Sequence, residues 1–174
     1  MPLTLDATVG GASANTYITL TAAETYFESR LDITAWDAAT DDDKNRALAT
    51  ATRLLDSMYV WANFAVDSTQ RLHWPRVFML DAKRRDTILS TVIPEELGFA
   101  AAELANTLLV SDRTLDSDIE TQGLTKLVAG SVELEFKDSV FAKIISDLVV
   151  NFIPTHWGYL TGQGGFGSVE LQRA

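Results

Sequence analysis

A long amphipathic segment at residues 40–61 limits the folds open to this 174-residue chain. Three aspartates, Asp41 to Asp43, follow Thr40, and a helix dipole favours acidic side chains in the first turn. A helix of about 20 residues is about 30 Å long, roughly the width of a small domain. We therefore predict that this helix forms the central wall of the fold. Its apolar residues recur at helical spacings of three and four, at Ala47, Leu48, Ala51, Leu54, Leu55 and Met58.

The other periodic segments complete a mainly α fold. Capping patterns and apolar stripes predict three further helices, and an alternation of apolar and charged residues predicts a β-hairpin. No repeat or long linker divides the chain. We predict a four-helix core with one small β-hairpin and extended N- and C-terminal arms. The predicted elements are a helix at 21–30 capped by Thr21 and Glu24, the helix from Asp41, a helix from Pro94, a hairpin within 124–136, a helix capped by Asp138 and Ser139 and ended by Pro154, a single domain at 1–160 and an arm at 161–174.

The residue types that catalyse reactions or bind metals do not occur at spacings typical of a catalytic or metal site. The chain has no cysteine, and its two histidines, His73 and His156, lie far apart in sequence. Gly162, Gly164 and Gly167 match the spacing of a dinucleotide-binding loop, but only seven residues follow, too few for the helix that this loop requires. We expect no cofactor, no metal and no enzymatic activity. Both histidines are interpreted as structural.

No segment predicts membrane insertion or secretion. The N-terminal residues lack a basic region followed by an apolar one, so a secretory signal is not expected. The most apolar stretch, residues 140–153, contains Lys143 and Asp147 and is too short to span a bilayer. We expect a protein without membrane contact that is made in a cytoplasm.

The charge of the chain is strongly negative but uneven. The net charge is −10, which argues against a tight grip on duplex DNA. Residues 67–86 nevertheless carry a local excess of two positive charges. This segment is either a solvated loop of mixed charge or one half of a contact with an acidic partner or a phosphate. Trp61 and Phe64 precede this segment and Trp74 lies within it, and these three residues either stack single-stranded bases or fill the core.

Several short segments of the chain occur in a characteristic order. They are Gly10, Ala14 to Leu20, Tyr26-Phe27, Ala47 to Asp56, Leu72 to Arg76, Ile93-Pro94 and Ala102 to Ala105. With these segments the chain resembles small virion proteins of tailed bacteriophages, of the head–tail connector (adaptor, or head-completion) type, a group often labelled DnaT-like single-stranded-DNA-binding. The resemblance covers most of the chain up to about residue 136, and His73 stands where a small residue is expected.

The resemblance implies a structural protein of the virion neck. It implies a dodecameric ring that contacts the portal protein and a downstream tail or neck protein, with genomic DNA passing through the channel without specific binding. The alternative that the same resemblance leaves open is a single-stranded-DNA-binding protein acting in phage replication. The residues predicted at subunit or portal interfaces are Trp74, Arg76, Arg84, Arg85, Gly162, Gly164, Phe166, Leu171 and Arg173.

Overall fold

The computed structural model describes residues 2–114 and 143–161, together with the backbone of 126–129 and 132–135. This part of the chain is mainly α-helical with two small antiparallel sheets, which confirms the predicted fold class and the hairpin. The elements are α1 (Leu20–Phe27), α2 (Thr34–Ala38), α3 (Asp41–Met58), β1 (Tyr59–Trp61), α4 (Glu95–Val110), β2 (Lys126–Ala129), β3 (Val132–Glu135), α5 (Asp147–Phe152) and β4 (Gly158–Leu160). No helix among these residues is long and apolar enough to cross a membrane.

Helix α4, not α3, is the central helix. It packs against α1, α2, α3 and α5, and it is buried on nearly all sides between Leu97 and Ala105. Its alanines at 100–102 and 105 are fully buried, because short side chains let the neighbouring helices approach closely. The prediction that α3 is the central wall was therefore wrong. Helix α3 buries one face against α4 and leaves its other face to solvent.

The start of α3 follows the sequence prediction. The Thr40 hydroxyl accepts a hydrogen bond from the Asp43 N–H at 3.2 Å, which satisfies one of the free donors of the first turn. The buried face contains Ala47, Leu48, Ala51 and Leu55. The capping threonine and the apolar periodicity thus fix where this helix begins and which way it faces.

One predicted helix start was wrong, and another predicted helix is not helical throughout. Helix α1 begins at Leu20 with Thr19 as its cap, and Glu24 pairs with Lys44 instead of closing a capping box with Thr21. Helix α5 begins at Asp147, because the Ser146 hydroxyl accepts from the Val149 N–H and residues 143–146 are not helical. The predicted cap at Asp138 and Ser139 lies outside the described residues.

A short sheet that the sequence did not predict joins the end of α3 to the end of the described chain. Strands β1 and β4 pair antiparallel, with Val60 opposite Tyr159 and Trp61 opposite Gly158. A Cβ atom at Gly158 would lie 2.6 Å from the Val60 carbonyl oxygen, so only glycine fits there. The Thr161 N–H continues the contact by donating to the Met58 carbonyl.

The N-terminal arm is extended, as predicted, and is bound along the start of α3. The Leu3 N–H donates to Asp42 at 3.0 Å, and the Asn45 amide donates to the Leu3 carbonyl. Within the arm, Asn15 hydrogen-bonds to the backbone of Thr4 and Asp6. The arm therefore covers part of the helix surface. Residues 162–174, the rest of the predicted C-terminal arm, lie outside the described residues.

Candidate functional site

A groove of about 680 Å³ lies on the solvent-facing side of α3. One wall comes from Arg46, Thr50, Arg53 and Ser57, which share a helix face because they are spaced by three or four residues. The opposite wall is the loop at residues 71–73, and the N-terminal arm closes one side. We call this concave surface the arginine groove, because Arg46, Arg53 and Arg71 line it.

A hydrogen-bonded network holds the loop wall of the groove onto α3. The Tyr17 hydroxyl donates to one oxygen of Asp56 and accepts from the Trp74 N–H at 3.2 Å. The other oxygen of Asp56 accepts from the His73 N–H at 3.1 Å. Tyr17 is buried, so this network lies beneath the groove and fixes the backbone of the loop from below.

Burial sets the electrostatics of this network. Burial raises the pKa of Asp56 above its ordinary value, and the hydrogen bond from Tyr17 opposes that rise. Burial and the nearby Asp56 charge together hold the pKa of Tyr17 well above its usual range. Tyr17 therefore stays a hydrogen-bond donor, and Asp56 functions as an acceptor for two donors from different segments.

Two of the three groove arginines have no partner within the described chain. Arg46 pairs with Asp42 and, at 3.3 Å, with Asp43. The guanidinium groups of Arg53 and Arg71 form no hydrogen bond or ion pair with any described residue, and both residues are exposed. The His73 ring lies beside them, half-exposed, with Nδ1 3.8 Å from Asp56. Two unpaired cations and an imidazole in a groove can bind an anionic group such as a phosphate.

Arg76 and Trp74, both predicted at an interface, are used inside the chain. The Arg76 guanidinium donates to three carbonyls, those of Ala62 (2.6 Å), Asn63 (2.6 Å) and His73 (2.9 Å). Burial lowers the pKa of this guanidinium. Trp74 precedes a cis peptide bond to Pro75 and is only 1% exposed, with its ring 5.2 Å from that of Trp157. As folded, Trp74 is a core residue, and the expectation of an interface role for it is corrected.

A second surface is apolar with a basic tip. Residues 79–88 form a narrow loop, closed by a Leu80–Thr87 bridge and by the Ile88 N–H donating to Met79. Met79 points into the core, so its neighbours face outwards: Phe78 is 78% exposed. The Val77 N–H donates to the Phe64 carbonyl, and this places the 73%-exposed Phe64 beside the loop. We call this the loop surface; its residues are Phe64, Phe78, Leu80, Lys83, Arg84, Arg85 and Leu89.

His156 attaches the loop surface to the rest of the protein. The Arg84 Nε–H donates to His156 Nδ1 at 3.3 Å, which leaves the ring proton on Nε2, 3.0 Å from the Asp81 carbonyl. The Trp157 N–H donates to the Leu80 carbonyl at 2.7 Å. The structural interpretation of His156 is confirmed. The ring of His73 is half-exposed with Nδ1 3.8 Å from Asp56, while its backbone N–H and carbonyl bond to Asp56 and Arg76.

Sequence reasoning found the loop surface in part and missed the groove. Arg84 and Arg85 are exposed on the loop surface, where an interface prediction can apply to them. Of the three aromatic residues considered for base stacking, Trp61 and Trp74 are buried and Phe64 is exposed. The predicted interface residues Gly162, Gly164, Phe166, Leu171 and Arg173 lie outside the described residues. The seven-residue spacing of Arg46 and Arg53 was the signal for the groove.

The fold and its surfaces define a small helical binding protein with a cationic groove and an exposed apolar loop. Among the described residues, no group of three or more side chains is placed to hold a metal ion. The whole chain, residues 1–174, matches the family described as "Putative DnaT-like ssDNA binding protein". The chain belongs to this family. No curated protein and no solved structure matched it. The family description does not mention a virion role.

Proposed function

We propose that this protein binds single-stranded DNA, with the phosphates in the arginine groove. The observation that carries the proposal is the pair of unpartnered guanidiniums, Arg53 and Arg71, facing one groove beside the His73 ring. Guanidinium groups bind phosphates, and aromatic or imidazole rings stack on unpaired bases. The family description supports the same class of ligand.

The acidic body of the protein sets the expected strength of this binding. The net charge of −10 repels DNA at long range, whereas the groove itself carries three arginines against one acid, Asp56. Asp56 lies beneath the loop wall, and each of its oxygens already accepts one hydrogen bond, from the Tyr17 hydroxyl and from the His73 N–H. We therefore expect short-range, salt-sensitive binding of moderate affinity.

Fluorescence anisotropy with a labelled oligothymidine of about 20 nucleotides tests this proposal. The double variant Arg53→Glu and Arg71→Glu should lose at least about tenfold in affinity. The double variant Lys83→Glu and Arg85→Glu is the matched control, because it changes the net charge equally but alters the loop surface. An equal loss in both variants, or no binding by the wild type, would reject the groove as the site.

A second candidate function is a head–tail connector of a phage virion, and the loop surface favours it. Exposed Phe64, Phe78 and Leu89 form the kind of apolar patch that protein partners cover. The sequence resemblance supplies the rest of the proposal: a dodecameric ring between the portal protein and a downstream tail or neck protein, with genomic DNA passing through its channel. In this proposal the protein is made in the host cytoplasm and ends in the virion neck.

Electron microscopy of the purified protein, alone and mixed with portal protein, separates the two candidates. The connector proposal expects rings, and it expects these rings to attach to the portal. Monomers in both preparations, together with tight binding of oligonucleotide, would leave single-strand binding as the function.

A further inference from the structure

The loop surface combines features that a protein contact requires. Phe78 and Leu89 are 78% and 69% exposed, and no described residue covers them. Lys83 and Arg85 at the loop tip form no ion pair with a described carboxylate. Asp81, in the same loop, accepts hydrogen bonds from the backbone N–H groups of Arg85 and Asp86, and the charges of Arg85 and Lys83 help to lower its pKa. An apolar patch with an unpaired basic tip fits a partner surface that is acidic and also carries apolar side chains.

The chain itself carries such a surface around the start of α3. We call it the acidic surface; its residues are Leu31, Asp32, Asp37, Asp41 and Asp43. Leu31 is 84% exposed. Asp37 and Asp41 form no ion pair among the described residues, and both are exposed. Three nearby cations are already engaged, Arg30 by Glu103, Lys44 by Glu24, and Arg46 by Asp42 and Asp43.

We propose that the loop surface binds the acidic surface of a second copy of this chain. The charges are complementary, and each surface offers exposed apolar side chains that the contact would bury. Because the two surfaces differ, the contact is heterologous and repeats from copy to copy, giving a closed ring or an open filament. This inference goes beyond single-strand binding, and it supplies the subunit contact on which the connector candidate depends.

Sedimentation velocity of the full chain over a range of protein concentrations tests the contact. The wild type should form species larger than a monomer at about 50 mM salt and dissociate towards monomers at about 500 mM, because salt screens the charged part of the contact. Lys83→Glu with Arg85→Glu should sediment as a monomer, and so should Asp37→Lys with Asp41→Lys. Arg84 is left unchanged because it is bonded to His156.

An experiment that mixes the two charge-reversed variants tests most directly whether these two surfaces contact each other. Lys83→Glu with Arg85→Glu makes the loop surface negative like the acidic surface, and Asp37→Lys with Asp41→Lys removes the net charge of the acidic surface. In the mixture, the unchanged basic loop of the second variant still meets the unchanged acidic surface of the first. The mixture should therefore associate where neither variant does. The charge-neutral variant Phe78→Ser with Leu89→Ser should weaken wild-type association by about tenfold, which shows that apolar contact contributes as well as charge.

Arg53→Glu with Arg71→Glu is the matched control, since it alters charge equally in the groove and should leave association intact. A wild type that stays monomeric at every concentration overturns the proposal. It is also overturned if the reversed variants associate like the wild type, or if the mixture does not associate. If Lys83→Glu with Arg85→Glu loses oligonucleotide binding and keeps its association, the loop surface contacts nucleic acid and the self-contact is rejected.

Discussion

Replacing Tyr17 by phenylalanine tests whether the buried network holds the loop wall of the groove. The substitution keeps the packed ring and removes one oxygen, which is a donor to Asp56 and the acceptor for the Trp74 N–H. A hydrogen bond to a charged group contributes about 1.5–3 kcal/mol, and a buried N–H left without an acceptor costs about 1–3 kcal/mol. Since Asp56 keeps its bond from the His73 N–H, we expect a net loss of about 3 kcal/mol.

Urea unfolding followed by tryptophan fluorescence measures this loss, because all four tryptophans are buried in the folded protein. For a chain of this size the expected loss lowers the melting temperature by about 6–12 °C. Tyr159→Phe is the matched control: its side chain is 64% exposed, and we expect a change within about 0.5 kcal/mol. If Tyr17→Phe changes stability no more than Tyr159→Phe does, the network does not hold the loop in the way described.

Three further predictions concern stability. Gly158→Ala should lower the free energy of unfolding in urea by at least about 2 kcal/mol, because its Cβ would lie 2.6 Å from the Val60 carbonyl oxygen. The control Gly98→Ala, whose nearest contact would be at 3.5 Å, should be neutral or stabilising. Equal effects of the two changes would contradict the close approach of the strands. Glu103→Ala should cost about 2 kcal/mol, because it removes the buried acceptor of Arg30 and Tyr26, and an unchanged unfolding midpoint would argue against that pair. Burial raises the pKa of Asp56 in the folded protein, so the stability contributed by its protonation is fully present at low pH and is lost as the pH rises through that pKa. As the pH falls from about 7 to about 4, the wild type should therefore gain stability relative to Asp56→Asn. A stability difference that stays constant over this range would contradict the raised pKa.

The sequence predicted the elements whose signals are local. Thr40 with the following aspartates marks the start of α3, and Pro94 with Glu95 marks the start of α4, because capping and dipole effects act within one turn. The hairpin was recognised from the alternation in residues 132–136. These features depend on a few neighbouring residues and need no knowledge of the rest of the fold.

The rest depends on contacts between distant segments. Strands of three residues, such as β1 and β4, are too short to show a recognisable alternation of apolar and polar residues. They pair only because the chain returns to the end of α3 about 100 residues later. The central position of α4 follows from small side chains that several helices approach together, which apolar periodicity does not show. The groove escaped prediction for the same reason: Arg53 and Arg71 meet only after Tyr17 and Asp56 have fixed the loop on α3.

The salt dependence of oligonucleotide binding tests the central claim most directly. Each phosphate contact on a single strand contributes about −0.7 to the slope of log affinity against log salt, so the two unpaired groove arginines, Arg53 and Arg71, predict a slope of about −1.4. Arg53→Ala should reduce that slope to about −0.7 and lower the affinity, while Lys83→Ala should leave the slope at about −1.4. A flat salt dependence, or a slope that falls with Lys83→Ala and not with Arg53→Ala, would contradict the assignment of single-stranded DNA to the arginine groove.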